Sequence, residues 1–232
     1  MKDLLQGAVR AFGLIASLDP ALYEVIWFSL YVSGVALACS TGAGIPLGAF
    51  LGLKRFPGRR LITALLYTGM GFPPVVVGLF VYLMLSRSGP IGALGWLFTP
   101  KAIIAAQTII SFPLVAGLTM AAVMGVDPNL RQQLLSLGAS SWQATLAILL
   151  EARVGVIVSI IAGFGAVISE VGAVMLVGGN IEGKTRTLTT AVVLETRKGN
   201  FDLAIALGII LLLITFLINL AMIRWQGRDF VR

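Results

Sequence analysis

A carboxylate inside an otherwise apolar stretch is the strongest sign of chemistry in this sequence. Glu170 lies in a run, residues 154–181, that carries no other charged side chain. An ionisable residue at bilayer depth is costly, so it marks a functional site by default. Two roles stay open for Glu170 and its neighbour Ser169: a structural hydrogen-bonding group, or a group beside a solute pathway. We do not expect Glu170 to bind an anionic substrate directly.

A polar loop with two cations follows this run. Cations and hydroxyl groups together could attract an oxyanion through charge-assisted hydrogen bonds. The alternative, which we favour, is a solvated loop that contacts a partner protein. The loop contains Asn180, Lys184, Thr185 and Arg186, followed by Thr187, Thr189 and Thr190.

The same residues also fit a phosphate-binding pattern. Residues 178–185 match G-x-x-x-x-G-K-[ST], whose glycines and lysine cradle phosphate groups. Such a loop follows a β-strand, and a helix begins at its Lys-Thr pair. Here an apolar helical run precedes the loop, and no parallel-sheet pattern occurs. We therefore reject nucleotide binding by this loop.

The composition indicates a membrane protein. Hydrophobic residues make up 58% of the 232 residues and charged residues only 12%, whereas soluble domains carry about 25% charged residues. The net charge of +7 is better explained by basic residues that flank membrane spans than by a nucleic-acid partner. The chain has no histidine, the commonest metal ligand. No nucleic acid, metal or cofactor is therefore expected.

Five stretches reach the roughly 20 apolar residues that cross a bilayer as a helix. We predict an all-α membrane protein, because none of them alternates as a membrane β-barrel strand does. Pro73 and Pro74 should bend the second span, since proline removes a helical hydrogen bond. Gly44, Gly48 and Gly52 form overlapping G-x-x-x-G patterns, which predict close helix packing within or between subunits. The predicted spans are residues 25–53, 61–86, 102–126, 154–181 and 203–223.

Basic residues in the short loops predict the orientation. Four of them crowd residues 54–60, so we place that loop in the cytoplasm. Five spans then put the N-terminus outside, the C-terminus in the cytoplasm, and residues 87–101 and 182–202 outside.

The predicted domain plan is a short interfacial segment (1–20), a transmembrane domain (21–226) that contains a cytoplasmic loop (127–153), and a cytoplasmic tail (227–232).

The loop at 127–153 predicts two short helices joined near Gly138 at the membrane surface. Asp127 can cap the first helix and Pro128 suits its first turn. Serine, glycine, glutamine and threonine residues argue against a sixth span over 134–150. Such a surface pair has little reason to exist unless a partner docks there, although a simple surface linker remains the alternative.

This loop resembles the cytoplasmic loop of permease subunits from type I ABC importers, which reads E-A-A-x3-G-x9-I-x-L-P and docks into the ATPase subunit. Gly138, Ile148 and Leu150 match that motif, whereas residues 132–134 are Gln-Gln-Leu in place of E-A-A and Glu151 replaces the proline. The resemblance implies a set of docking residues. They are Asp127, Pro128, Leu130, Leu137, Gly138, Ala139, Ser140, Ser141 and Trp142.

Residues 163–173 and 179–188 resemble the molybdate, tungstate and sulfate branch of this family, and the five-span layout with residues 194–202 is most like tungstate permeases. The resemblance covers residues 20–225. It implies a homodimeric pore in a prokaryotic cell membrane, with cytoplasmic ATPase subunits and an external oxyanion-binding protein. The chain itself would not be an enzyme. Pro73, Pro74, Ser169 and Glu170 would lie beside the pathway.

Two other functions stay open. An ion-coupled secondary carrier for an anion would use Glu170 as its proton site. That class often shows paired internal repeats, and the five predicted spans show no such repeat. It also has no need for a docking loop. A structural assembly factor with no pathway is the second alternative.

Overall fold

The computed structural model describes residues 2–17 and 19–225, and every regular element within them is helical. A short 3₁₀ turn, Gly92–Leu94, lies between the fourth and fifth α-helices. The α-helices are α1 (Lys2–Ala16), α2 (Pro20–Leu53), α3 (Arg59–Met70), α4 (Pro74–Leu85), α5 (Pro100–Met124), α6 (Pro128–Ser136), α7 (Ser141–Glu151), α8 (Arg153–Ile168), α9 (Gly172–Gly178), α10 (Leu188–Arg197) and α11 (Phe201–Trp225).

Within the described residues, three helices are long and apolar enough to cross a membrane: α2, α5 and α11. Two bent pairs, α3 with α4 and α7 with α8, raise the number to five if each pair is one span. The count therefore agrees with the five predicted spans. The tail expected at 227–232 lies outside the described residues.

The second and fourth predicted spans are each interrupted. Residues 71–73 separate α3 from α4, and Pro73 and Pro74 begin the second helix of the pair, as the prolines predicted. The fourth span, predicted over residues 154–181, consists of two helices. Its first helix ends at Ile168, and a separate helix begins at Gly172.

The chain forms two compact units. Of the described residues, those in 2–36, 73–107 and 167–220 belong to the first unit, and those in 37–72, 108–166 and 221–225 belong to the second. The predicted docking loop lies in the second unit. Glu170 and the polar loop that follows it lie in the first.

In the second unit, glycines bring α2 close to α5. A Cβ atom at Gly48 would lie 2.4 Å from the main-chain oxygen of Ala116, and one at Gly52 would lie 2.8 Å from Cγ1 of Val123. Gly44 faces Val115 in the same way. The G-x-x-x-G pattern therefore packs two helices of one chain, because only glycine permits this approach.

In the first unit, α1 packs against α11. Ala11 is buried in a cluster with Leu207 and Ile210, and the Arg10 guanidinium forms an ion pair with Asp202. The helix expected in residues 1–20 is thus present. Its location at a membrane surface stays a prediction.

Replacing Gly48 by alanine should destabilise the protein by about 1–3 kcal/mol, because the added methyl group would overpack the contact with the α5 backbone. The matched control is Gly42→Ala on the same helix, where an added Cβ meets nothing within 4 Å. Denaturant titration of the purified protein in detergent would measure the difference. Equal stability of the two variants would contradict the close packing of α2 and α5.

Candidate functional site

The Glu170 carboxylate caps the start of a helix. Glu170 is only 8% exposed, and its Oε1 accepts a hydrogen bond of 2.8 Å from the Ala173 main-chain N–H. This N–H lies in the first turn of α9, where intrahelical partners are missing. The carboxylate therefore satisfies a donor that the break between α8 and α9 leaves open.

Side chains from two other helices secure the same break. The Thr189 hydroxyl of α10 donates to the main-chain oxygen of Glu170 over 3.0 Å. Nε2 of Gln107, on α5, donates to the main-chain oxygen of Val167 over 2.8 Å. Both residues are buried. We call the segment 167–173 with Gln107 and Thr189 the Glu170 break.

The helix α4 packs against the Glu170 break. A Cβ at Gly172 would lie 2.5 Å from Cγ2 of Val75, and one at Gly78 would lie 2.5 Å from Cα of Ala173. The structure thus brings Glu170 together with the segment that Pro73 and Pro74 begin. Gln107 and the role of Thr189 were not predicted from the sequence, although the lone amide in an apolar run was a usable signal.

The loop after α9 is held together by hydrogen bonds within the loop. The Thr185 hydroxyl donates to the main-chain oxygen of Gly178 over 2.6 Å and accepts from the Ile181 N–H over 2.9 Å. Gly178 belongs to α9, and the next helix begins only at Leu188. The hydroxyl and the glycine that a phosphate loop would need are therefore already engaged.

The loop threonines are unavailable to an external oxyanion. Thr185, Thr187, Thr189 and Thr190 are all buried, and Thr187 and Thr190 form a capping box at the start of α10. Asn180 has a left-handed backbone, with φ of 50°, and its buried Oδ1 has no hydrogen-bond partner within the described residues. Only Lys184 and Arg186 could offer charge to an anion.

A cleft of about 330 Å³ separates those two cations from α2. Nη1 of Arg186 lies 3.3 Å from Oε2 of Glu182, and Glu24 lies beside Gly183. Two acids thus balance two cations, so a dianion gains little net attraction here. The cleft is lined by Glu24, Val25, Trp27, Phe28, Tyr31, Gly183, Lys184 and Arg186.

A polar cluster links α10 to α11. Oε2 of Glu195 accepts a hydrogen bond of 2.8 Å from Asn200, and its Oε1 accepts one of 2.8 Å from Nζ of Lys198. These hydrogen bonds, that from Asn200 first, hold the pKa of Glu195 below its ordinary value of 4.5. The carboxylate therefore stabilises the turn in its charged form.

The predicted docking loop consists of two capped helices. Oδ1 of Asp127 accepts from the Asn129 N–H over 2.9 Å at the start of α6, which confirms its predicted capping role. Ser140 and Gln143 form a reciprocal capping box at the start of α7. Between the helices, Gly138 has φ of 89°, a conformation that glycine adopts at little cost. The two short helices joined near Gly138 are thus confirmed.

The docking loop exposes large apolar side chains beside its glycine. Leu137 is 85% exposed and Trp142 is 69% exposed. The same loop buries Ile148 and Ala152 in a cluster with Ala49 and Val123 of the second unit. Such a loop presents an apolar surface on an anchored base, which favours contact with another protein.

Comparison with known proteins agrees with this geometry. Residues 44–228 match the family described as the inner membrane component of binding-protein-dependent transport systems. A probable anion ABC transporter permease of Haloferax volcanii is 43% identical over 89% of this chain and 91% of its own. A tungstate uptake system permease of Peptoclostridium acidaminophilum is 40% identical over 94% and 96%. A molybdenum transport system permease of Escherichia coli is 32% identical over 85% and 93%.

Solved structures share the fold. The methionine ABC transporter in an inward-facing conformation aligns with a TM-score of 0.75 at 19% identity, over 93% of this chain and 99% of the matched chain. A bacterial alginate ABC transporter aligns with a TM-score of 0.74 at 21% identity, over 94% and 84%. The all-α importer fold expected from the sequence is therefore confirmed.

Glu170→Ala should cost about 1–3 kcal/mol of stability, because the buried Ala173 N–H loses its acceptor. Glu170→Gln should retain most of the stability, since the amide oxygen can accept the same hydrogen bond. Denaturant titration in detergent measures both variants, and uptake into vesicles measures their activity. If Glu170→Gln loses uptake as fully as Glu170→Ala, the negative charge is required, and the hydrogen bond to Ala173 alone does not explain the role of Glu170.

Acid should weaken the α10–α11 turn through Glu195. Since its folded pKa is lowered, its contribution is complete above the unfolded value and is lost as the pH falls through the folded value. As the pH falls from neutral to below the ordinary value of 4.5, the wild type should lose more stability than Glu195→Gln. The control Glu151→Gln, which removes an exposed carboxyl group, should follow the wild type. Parallel pH profiles for all three proteins would contradict this role.

Proposed function

Since the chain belongs to the family of inner membrane components of binding-protein-dependent transport systems, we propose that it is the transmembrane permease subunit of an ABC importer for a tetrahedral oxyanion. Tungstate is the favoured substrate. Relatives named for tungstate, molybdenum and anions, each covering most of both chains, support this assignment.

The docking loop, residues 127–153, is the proposed contact with a cytoplasmic ATPase subunit. The observation that carries this assignment is the exposure of Leu137 and Trp142 on either side of Gly138, above a base that is buried in the same unit. Buried aromatic anchors dominate the energy of many protein interfaces. ATP hydrolysis then takes place in the partner subunit, and the permease performs no bond chemistry.

Two copies of the chain form the proposed pathway, and an extracytoplasmic binding protein delivers the oxyanion. The loops at 87–101 and 182–202 face that protein, with the N-terminus outside and the C-terminus in the cytoplasm. The near-neutral cleft at Lys184 and Arg186 suits contact with a protein better than capture of a dianion. Substrate selection therefore rests mainly with the binding protein.

Transport then follows from a two-state change. The ATPase shifts the docking loop, and the spans alternate between outward-open and inward-open states. Glu170 supports the broken fourth span beside the pathway. The rival secondary carrier has no support among the matched relatives, which are ABC permeases.

Gly138→Pro should abolish coupling while the protein still inserts, because proline fixes φ near −65° and Gly138 requires 89°. The chain and its ATPase would be reconstituted with the binding protein and tungstate, molybdate or sulfate. Stimulation of ATP hydrolysis by one loaded binding protein, lost in the variant, would establish the importer and name its substrate. No complex and no stimulation, with folded proteins, would overturn the proposal.

A gentler variant separates docking from folding. Leu137→Ala with Trp142→Ala truncates exposed side chains, so the chain should fold normally while its affinity for the ATPase falls about 10- to 30-fold. The matched control truncates Leu212 and Phe216, which are also exposed but lie on α11. Co-purification of the ATPase measures the difference, and equal yields for both double variants would refute the docking surface.

A further inference from the structure

A basic cleft opens where two long membrane helices end. Leu53 is the last residue of α2 and Met124 the last of α5, and both line a cleft of about 400 Å³ in the second unit. The ends of spanning helices mark the depth of lipid headgroups. The cleft is lined by Gly52, Leu53, Arg55, Arg59, Val123, Met124, Val126, Asp127, Pro128, Arg131, Gln132 and Ile148.

The charge of this cleft strongly favours an anion. Arg55, Arg59 and Arg131 line it, and Asp127 is the single acid among the lining residues. The Asp127 carboxylate already accepts a hydrogen bond from the Asn129 N–H. Lys54 and Arg60 flank the cleft in sequence, and residues 54–60 contain no acid. Unlike the near-neutral cleft at Lys184, this one has three arginines against one acid among its lining residues.

Two of the arginines differ in how many of their N–H donors are hydrogen-bonded within the chain. Nε of Arg59 donates to the main-chain oxygen of Leu51 over 2.7 Å, so this guanidinium satisfies a carbonyl group in the last turn of α2. Nη2 of Arg131 reaches Ser141 over 3.4 Å, but its buried Nε has no hydrogen-bond partner among the described residues. Arg131 therefore has unused donor capacity inside a positively charged cleft.

An apolar cleft adjoins the basic one. It measures about 230 Å³, and Arg59 and Met124 line both clefts. Tyr67, Met120 and Thr63 line the rest of it together with Arg60. The nearby side chains of Leu61 and Leu65 are more than 60% exposed. A basic pocket that continues into an apolar surface has the polarity of a phospholipid, phosphate first and hydrocarbon next.

We propose that these adjoining clefts bind an anionic phospholipid. Its phosphate interacts with Arg55 and Arg131, and its acyl chain lies along Tyr67 and Met124. Basic residues next to the cytoplasmic ends of membrane helices attract anionic headgroups in this way. Because Asp127, Arg131 and Gln132 belong to the docking loop, the lipid would brace the base of that loop.

To test this, the full chain is purified with its ATPase and stripped of lipid. Phosphatidylglycerol or phosphatidylcholine is then added in increasing amounts, and native mass spectrometry counts the lipid molecules bound. Phosphatidylglycerol should bind more tightly than phosphatidylcholine. Arg55→Gln with Arg131→Gln should weaken its binding about 30-fold, since each basic residue near an anionic lipid contributes about a factor of five. Arg55→Lys with Arg131→Lys should restore much of the affinity.

A charge-matched control removes Arg87 and Arg197, two exposed cations of the first unit, and should bind phosphatidylglycerol like the wild type. Equal binding of the two lipids, or equal loss in both double glutamine variants, would overturn the proposal. Release of the lipid by stoichiometric phosphate or tungstate would instead indicate a site for free oxyanions. If Arg55→Gln with Arg131→Gln lost the ATPase but still bound phosphatidylglycerol normally, the cleft would belong to the ATPase contact and the lipid proposal would be overturned.

Discussion

The need to satisfy main-chain polar groups inside a membrane shapes this permease. Hydrocarbon offers no hydrogen bonds, so irregular backbone at that depth must find its partners within the protein. The chain breaks its fourth span at residues 169–171, and three side chains then supply the missing partners. Glu170 accepts from the next helix, Thr189 donates to the break, and Gln107 donates to the helix before it. These three buried polar side chains are explained by the interruption, whereas the other buried threonines of the first unit close the loop after α9 and cap α10.

The proposed docking loop is held firmly although it lies between spans. Both of its helices begin with capped turns, and Ile148 and Ala152 anchor it to the cluster that contains Ala49 and Val123. Displacement of Leu137 or Trp142 by a partner would therefore be passed to α2 and α5 and would not be absorbed by a flexible linker. The glycine contacts of α2 with α5 extend this connection through the second unit.

Much of this arrangement could be predicted from the sequence, since apolar runs, prolines and caps act over short distances. The number of spans, the paired helices around Gly138 and the cap at Asp127 follow from local pattern. The break at residues 169–171 does not, because Ser169 and Val171 are compatible with a membrane helix and Glu170 alone does not specify where the helix ends. Only the tertiary partners Gln107 and Thr189 make the interruption favourable. The buried state of Thr185 was hidden for the same reason, since its hydrogen-bond partners form only after the loop closes.

The ion pair between Arg10 and Asp202 has a consequence for biosynthesis. The two residues are 192 positions apart, and ribosomes add about 5–20 residues per second. The first helix therefore leaves the ribosome roughly 10 to 40 seconds before the helix that covers it has been made. During that interval the apolar face around Ala11 lacks its α11 partners Leu207 and Ile210, and lipid can cover the part that Leu22 of α2 leaves open. Assembly of the first unit then ends with the packing of α11 against α1.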